Sequence, residues 1–280
     1  MSNSAHTLLD EALGFDDDGD DVVYFGSHNA LGGAAGGGGG SAKMVLIKDC
    51  VETSGAFILH HLIKRSLSPN RPSDVVVFLA FAHPFSHYDR ILRKLGCNVG
   101  VQRETKRFIY YDMLMPKYPG LGRDGEKGAE AALLHVYGNI QKTVELCSSP
   151  EGIKNITIMI DDISLMEVTV CGSSNQVLDF LHYCFTLATQ FGCSVVILSH
   201  EDVYSSMDRP SLQRQMEYLA NVIIKAEPLA TGLATDVHGQ LTVFNRGFCQ
   251  GTGNSKTKIR NFHFKVKENY VEYFYPGSRT

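Results

Sequence analysis

The sequence predicts an α/β protein with a central, largely parallel sheet flanked by helices and closed by antiparallel strands at its C-terminal end. Three observations carry this. The segments VVVFLAF, ITIMI and SVVIL are apolar on both faces, as strands buried between two helical layers are. Runs of helical periodicity lie between most of the early strand candidates. After residue 220 the segments NVIIKA, QLTVFN, RNFHFKVK and YVEYFY follow one another without long helices, a pattern of antiparallel strands.

Residues 7–13, TLLDEAL, predict a short amphipathic helix, capped by Thr7 and ended by Gly14. Its apolar residues Leu8, Leu9, Ala12 and Leu13 need a surface to pack on. The acidic run at 16–21 reads as a solvated turn and the Gly-rich run at 32–42 as a flexible linker. This divides the chain into an N-terminal segment, 1–43, and an α/β domain, 44–280.

Strands are expected at 44–48, 75–81, 107–112, 155–160 and 194–199. The helix at 85–95 starts at Pro84, ends at Gly96 and carries the stripe Tyr88, Ile91, Leu92, Leu95. The helix at 129–147 carries Leu133, Tyr137, Ile140 and Val144. That at 175–191 carries Val177, Leu181, Cys184, Phe185 and Ala188, and Gly192 closes it. Glu268-Asn269 is placed to turn the last two strands into a hairpin. The loop at 113–128 is rich in Pro and Gly and has a length associated with function.

Composition narrows the classes. A net charge of −4 gives no whole-chain case for nucleic acid, so any polyanion must be held by a local patch. The N-terminus lacks the basic and apolar regions of a signal peptide. The longest apolar run, residues 75–82, is too short to span a bilayer, so a soluble protein is expected. Seven cysteines without a C-x-x-C pair fit reduced thiols inside a cell, with Cys184 and Cys193 in the core.

The stretch DCVETSGAF, residues 49–57, lies between the strand MVLIK and a helix, where a phosphate-binding loop sits in P-loop proteins. A working loop is G-x-x-x-x-G-K-[ST]: its backbone N–H groups wrap the phosphates, the lysine reaches them and the hydroxyl holds magnesium. Aligning Gly55 with the second glycine places Cys50 on the first, Ala56 on the lysine and Phe57 on the hydroxyl residue. Only Gly55 matches. The plainer reading is a βα connection with Thr53 or Ser54 capping the helix. ITIMIDD ends in acid as a metal-orienting strand does, with Asp161 as the carboxylate. The second strand runs on as AFAHPF, with no water-activating glutamate. The frame is that of an ATPase without its working groups, so no catalytic residue, metal or cofactor is expected.

Two rival readings remain open here. His83, Asp161, Asp162 and His200 all follow parallel strands, at the sheet edge where α/β active sites form, and suit a metal-dependent hydrolase. His83 and His87 also have a helical chelate spacing. The other rival is an active ATPase with an unusual loop. The adjacent His60 and His61 read as packing and surface residues.

Four segments, MVLIKDCVETSGAFILHHLIKR, DVVVFLAFAHPFSHYDRILRKLGCNV, ITIMIDDISLME and SVVILSHEDVY, together resemble the sixth-subunit family of the Elongator complex, in a plant-like form. The resemblance implies a recombinase (RecA)-like fold with degenerate Walker motifs. It also implies a heterohexameric ring with the fourth and fifth subunits, docked on the catalytic core, that binds tRNA and supports modification of the wobble uridine, U34. The implied role is accessory, in cytoplasm and nucleus, with links to transcription elongation.

Residue roles follow from that resemblance alone. Lys258 and Arg260 match a Lys-x-Arg pair that reaches into a neighbour's site in recombinase-type rings; a basic exposed strand end is the plainer reading. The pore-facing loops would be 163–175, which carries Glu167 and no basic residue, and 199–213. Arg209, and Arg214 just beyond it, suit a phosphate backbone. Lys256, Lys258, Arg260, Lys265 and Lys267 form the densest basic cluster. Phe262, Phe264 and Val266 share the opposite face of that strand, which leaves Lys265 and Lys267 as RNA-binding candidates or as a solvated face.

Overall fold

The computed structural model describes residues 7–14, 43–114, 125–148, 155–170, 173–204, 212–232, 234, 236–246 and 258–278. The acidic run at 16–21, the Gly-rich run at 32–42, most of the 113–128 loop, Arg209 and Lys256 lie outside the described residues.

The elements run α1 (Leu8–Leu13), β1 (Lys43–Asp49), α2 (Ala56–Ser66), β2 (Val75–Ala80), α3 (Phe85–Lys94), α4 (Val99–Glu104), β3 (Phe108–Asp112) and α5 (Gly125–Cys147). They continue with β4 (Ile156–Ile160), α6 (Ile163–Thr169), α7 (Ser174–Phe191), β5 (Ser194–His200), a 3₁₀ turn (Glu201–Tyr204) and α8 (Leu212–Leu219). The antiparallel end follows β6 (Val222–Glu227), as β7 (Gly239–Asn245), β8 (Lys258–Val266) and β9 (Val271–Phe274).

These strands form one sheet in the order β3-β2-β4-β5-β1-β6-β7-β8-β9. The first six are parallel neighbours, and β6 to β9 pair antiparallel. The expected fold class is the observed one. Because side chains alternate along a strand, each strand feeds two cores. On one side Leu46, Val77, Ile158 and Ile197 meet α5 and α7 through Val136, Ile140, Leu181 and Cys184. On the other, Val45, Ile47, Phe78 and Val196 meet α2 and α3 through Ile58, Leu62 and Leu92. Cys184 and Cys193 are buried, as expected. Lys267 N–H donates to the Tyr270 carbonyl at 2.8 Å, closing the β8–β9 turn around Glu268-Asn269. Among the described residues no helix is long and apolar enough to cross a membrane.

Helix α1 packs beside β7 and β9. The Thr7 hydroxyl accepts from Asp10 N–H, and the Asp10 carboxylate accepts from Thr7 N–H, a reciprocal cap. Gly14 ends the helix at φ 77°, a left-handed position suited to glycine. Leu9, Ala12 and Leu13 are buried in the second core. The Asp10 carboxylate receives His61 Nε2 at 2.9 Å and Arg65 at 3.4 Å from α2. Burial raises the pKa of Asp10, but the bonds from His61 and Thr7 outweigh it and hold the carboxyl below its usual range.

The structure differs from the sequence reading at several places. Gly55, not Thr53 or Ser54, is the N-cap of α2 and offers no side-chain bond, although the Ser54 hydroxyl accepts from the first helical amide, Ala56 N–H, at 3.3 Å. Most of 163–175 is helix: Asp162 caps α6 by accepting from the amides of Ser164 and Leu165, and α7 begins at Ser174. The short helices α4 and α8 add to the expected elements, and α5 begins at Gly125, inside the span expected as a loop.

Candidate functional site

The C-terminal edge of the parallel strands gathers the residues of interest. After β1 the chain makes a tight turn in which Thr53 N–H donates to the Cys50 carbonyl at 3.1 Å. Val51 N–H donates to Asp202 at 3.1 Å, and Ala56 N–H to the Ser54 hydroxyl at 3.3 Å. Gly55 N–H donates to Asp49 Oδ2 at 2.7 Å. In a phosphate loop such amides point at the ligand. Here a carboxylate of the chain itself takes the Gly55 amide, and the Val51, Thr53 and Ala56 amides also bond within the protein. A Cβ at Gly55 would lie 3.1 Å from Ile47 Cγ2 and 3.3 Å from Asp49 Cβ, so a larger residue there requires these neighbours to shift by a few tenths of an ångström. Phe57 packs on Phe264, with ring centroids 4.6 Å apart.

Strand register pairs Asp49 with His200. His200 Nδ1 donates to Asp49 Oδ1 at 2.5 Å and Nε2 to Asp162 Oδ2 at 3.1 Å. The imidazolium thus bridges the ends of β1, β4 and β5. Its bonds to Asp162 and Asp49 raise its pKa to about 10 against the opposing effect of burial. Burial pushes Asp162 up, but bonds from His200, Ser164 and Leu165 prevail and lower its pKa. Asp161, the expected metal-orienting carboxylate, accepts from the amides of Phe81 at 2.7 Å and Ala82 at 3.0 Å and from the Tyr88 hydroxyl. Burial dominates and its pKa is raised. Beside this group the buried Lys48 ammonium pairs with Glu201 at 2.9 Å and Glu217 at 2.5 Å, and Lys225 pairs with Glu201 and Glu227.

The hydrolase quartet does not converge. Asp162 and His200 meet, but Asp161 is bonded to β2-end amides, and exposed His83 stacks on His87 with centroids 3.9 Å apart. Among the described residues no group of three or more His, Cys, Asp or Glu is placed to hold a metal ion. His60 is buried, and burial together with His87 and His83 lowers its pKa to about 4.

The basic candidates are only partly available. Arg260 is bound by Glu11 of α1 at 2.5 Å. Lys265 pairs with Asp236 at 3.0 Å and Lys267 approaches Glu272 at 3.9 Å. Lys258 is exposed and has no ion-pair partner among the described residues. Arg214 is exposed on α8. Phe262 and Phe264 are buried as expected, but Val266 is 38% exposed.

The family model described as Elongation complex protein 6 matches residues 35–268. The chain belongs to this family. Curated members of the Elongation complex protein 6 family are similar along most of its length. Elongator complex protein 6 of Xenopus tropicalis is 27% identical over 247 residues, covering 84% of this chain and 91% of that protein. The Homo sapiens protein of the same name is 26% identical over 249 residues, with the same coverage. Family membership makes the chain a subunit of the Elongator complex. Among solved structures, a KaiC-like protein from Pyrococcus horikoshii superposes with a TM-score of 0.56 at 10% identity, over 83% of this chain and 89% of that one. This likeness shows the recombinase-like fold.

Asp49 is the site residue that motif reading missed. Its signal was present: a carboxylate at the end of an apolar strand, six residues before the loop's single glycine.

Proposed function

We propose that this chain is a non-catalytic, structural subunit of Elongator that forms a heterohexameric ring with the fourth and fifth subunits. The ring binds tRNA and supports modification of wobble uridine U34, in the cytoplasm and nucleus. One observation carries the non-catalytic part. The Asp49 carboxylate takes the Gly55 amide, so the loop that would wrap a phosphate is closed on the protein's own side chain. A buried anion at this point also repels a second one. The loop thereby becomes a brace among β1, α2 and β5.

The test is nucleotide binding by the ring, site by site. ATP bound at this subunit with micromolar affinity, and lost on Asp161→Ala, would contradict the reading. The expected result is no binding that depends on this chain's loop. Arg260 enters a neighbouring subunit's site only by leaving Glu11, so the Lys258–Arg260 finger is proposed as a contact made on assembly.

A further inference from the structure

We infer that the outer face of α8 is a stacking platform for an unpaired RNA base, with Tyr218 as the aromatic plate and Arg214 as the cation for the neighbouring phosphate. The inference rests on the proposed RNA-binding role of the assembled ring.

Helix α8 has one apolar stripe. Leu212 and Met216 are buried with Gln213 beneath the helix, whereas Arg214, Gln215 and Tyr218 face outward. Tyr218 is 85% exposed, an exposure matched among the large apolar side chains of the described residues only by Val51. Arg214 and Tyr218 are four residues apart, so their Cβ atoms lie about 5–6 Å from each other on one helix face. A π-face beside a cation is the pairing that holds single-stranded nucleic acid without regard to sequence.

Two further contacts fit the face to a polyanion. The helix's own acid, Glu217, is drawn to Lys48 at 2.5 Å, so its charge is neutralised within the protein. Arg246 Nη1 donates to the carbonyls of Glu217 at 2.9 Å and Ala220 at 3.3 Å. This offsets the negative end of the helix dipole, which would otherwise repel phosphate. A protein-docking face calls for neighbouring apolar surface. Tyr218 instead has Arg214 and Gln215 on its side of the helix, so the charge and composition favour RNA.

The test uses the chain assembled with the fourth and fifth subunits and a fluorescent twelve-nucleotide oligoadenosine, with an abasic strand of equal length as control. Tyr218→Leu is expected to weaken oligoadenosine binding about 5- to 50-fold, and Tyr218→Phe to change it less than about twofold. Both variants should bind the abasic strand as the wild type does. Arg214→Gln should reduce the salt slope by about 0.7. If the wild-type complex binds and Tyr218→Leu leaves oligoadenosine affinity unchanged, the stacking platform is wrong and the RNA reading stands. If the wild-type complex binds neither strand, the RNA reading itself falls and the platform with it. If Tyr218→Leu instead reduces the yield of assembled complex, Tyr218 belongs to a protein interface and the inference is overturned.

Discussion

Asp49 and His200 face each other at 2.5 Å across the β1–β5 boundary, where P-loop proteins place a phosphate beside the loop. The carboxylate binds a cation on one oxygen and the Gly55 amide on the other. The pair ties the loop to the sheet through bonds within the chain.

The first prediction concerns pH. The folded pKa of His200, about 10, lies above its ordinary value near 6.5. Its contribution is therefore complete below about pH 6.5 and is lost as pH rises toward 10. Urea midpoints measured across this range should fall for the wild type and fall less for His200→Gln. At pH 6 that variant should cost about 1–3 kcal/mol. This is less than a fully buried pair would cost, because the His200 side chain is 33% exposed. Parallel pH profiles for the two proteins would contradict the bridge.

A second prediction is that restoring the motif does not restore binding. Ala56→Lys with Phe57→Ser supplies the missing lysine and hydroxyl, but leaves Asp49 on the Gly55 amide. Calorimetric titration with ATP and magnesium should show no binding to the loop. The Phe57 change alone should destabilise the fold by about 1–3 kcal/mol through its lost packing on Phe264. Micromolar ATP affinity in the double variant would show that the loop's side chains, rather than its internal bonds, exclude nucleotide.

A third prediction concerns α1. Leu9 is fully buried, and Leu9→Ala should cost about 2–4 kcal/mol in chemical denaturation. Glu11→Gln should cost less than about 1 kcal/mol, because its pair with Arg260 is partly exposed. A neutral Leu9→Ala would mean that α1 adds nothing to the core.

The Lys258→Ala, Arg260→Ala double variant gives a fourth. Lys258 is exposed and Arg260 makes only a partly exposed pair with Glu11, so melting temperature should stay close to wild type while ring assembly weakens. Unchanged assembly and tRNA binding would retire the finger.

The parallel core was legible because VVVFLA and ITIMI are apolar on both faces, and only burial between two layers requires that. The hairpin at Glu268-Asn269 was legible from local turn chemistry. Helix α6 was not, since its N-cap Asp162 lies only two residues past the end of β4 and only seven helical residues follow. The Asp49–His200 contact was not legible either. Its residues are far apart in sequence, and their meeting depends on β1 pairing with β5, which no local pattern states. His200 drew notice for its position after a strand, but its partners were set by register.

The central claim, that this chain is a building element of a ring, is tested most directly by co-expressing it with the fourth and fifth Elongator subunits and weighing the purified assembly. A complex containing two copies of each subunit, formed without nucleotide bound to this one, is the predicted result. A stable monomer that ignores both partners would contradict it.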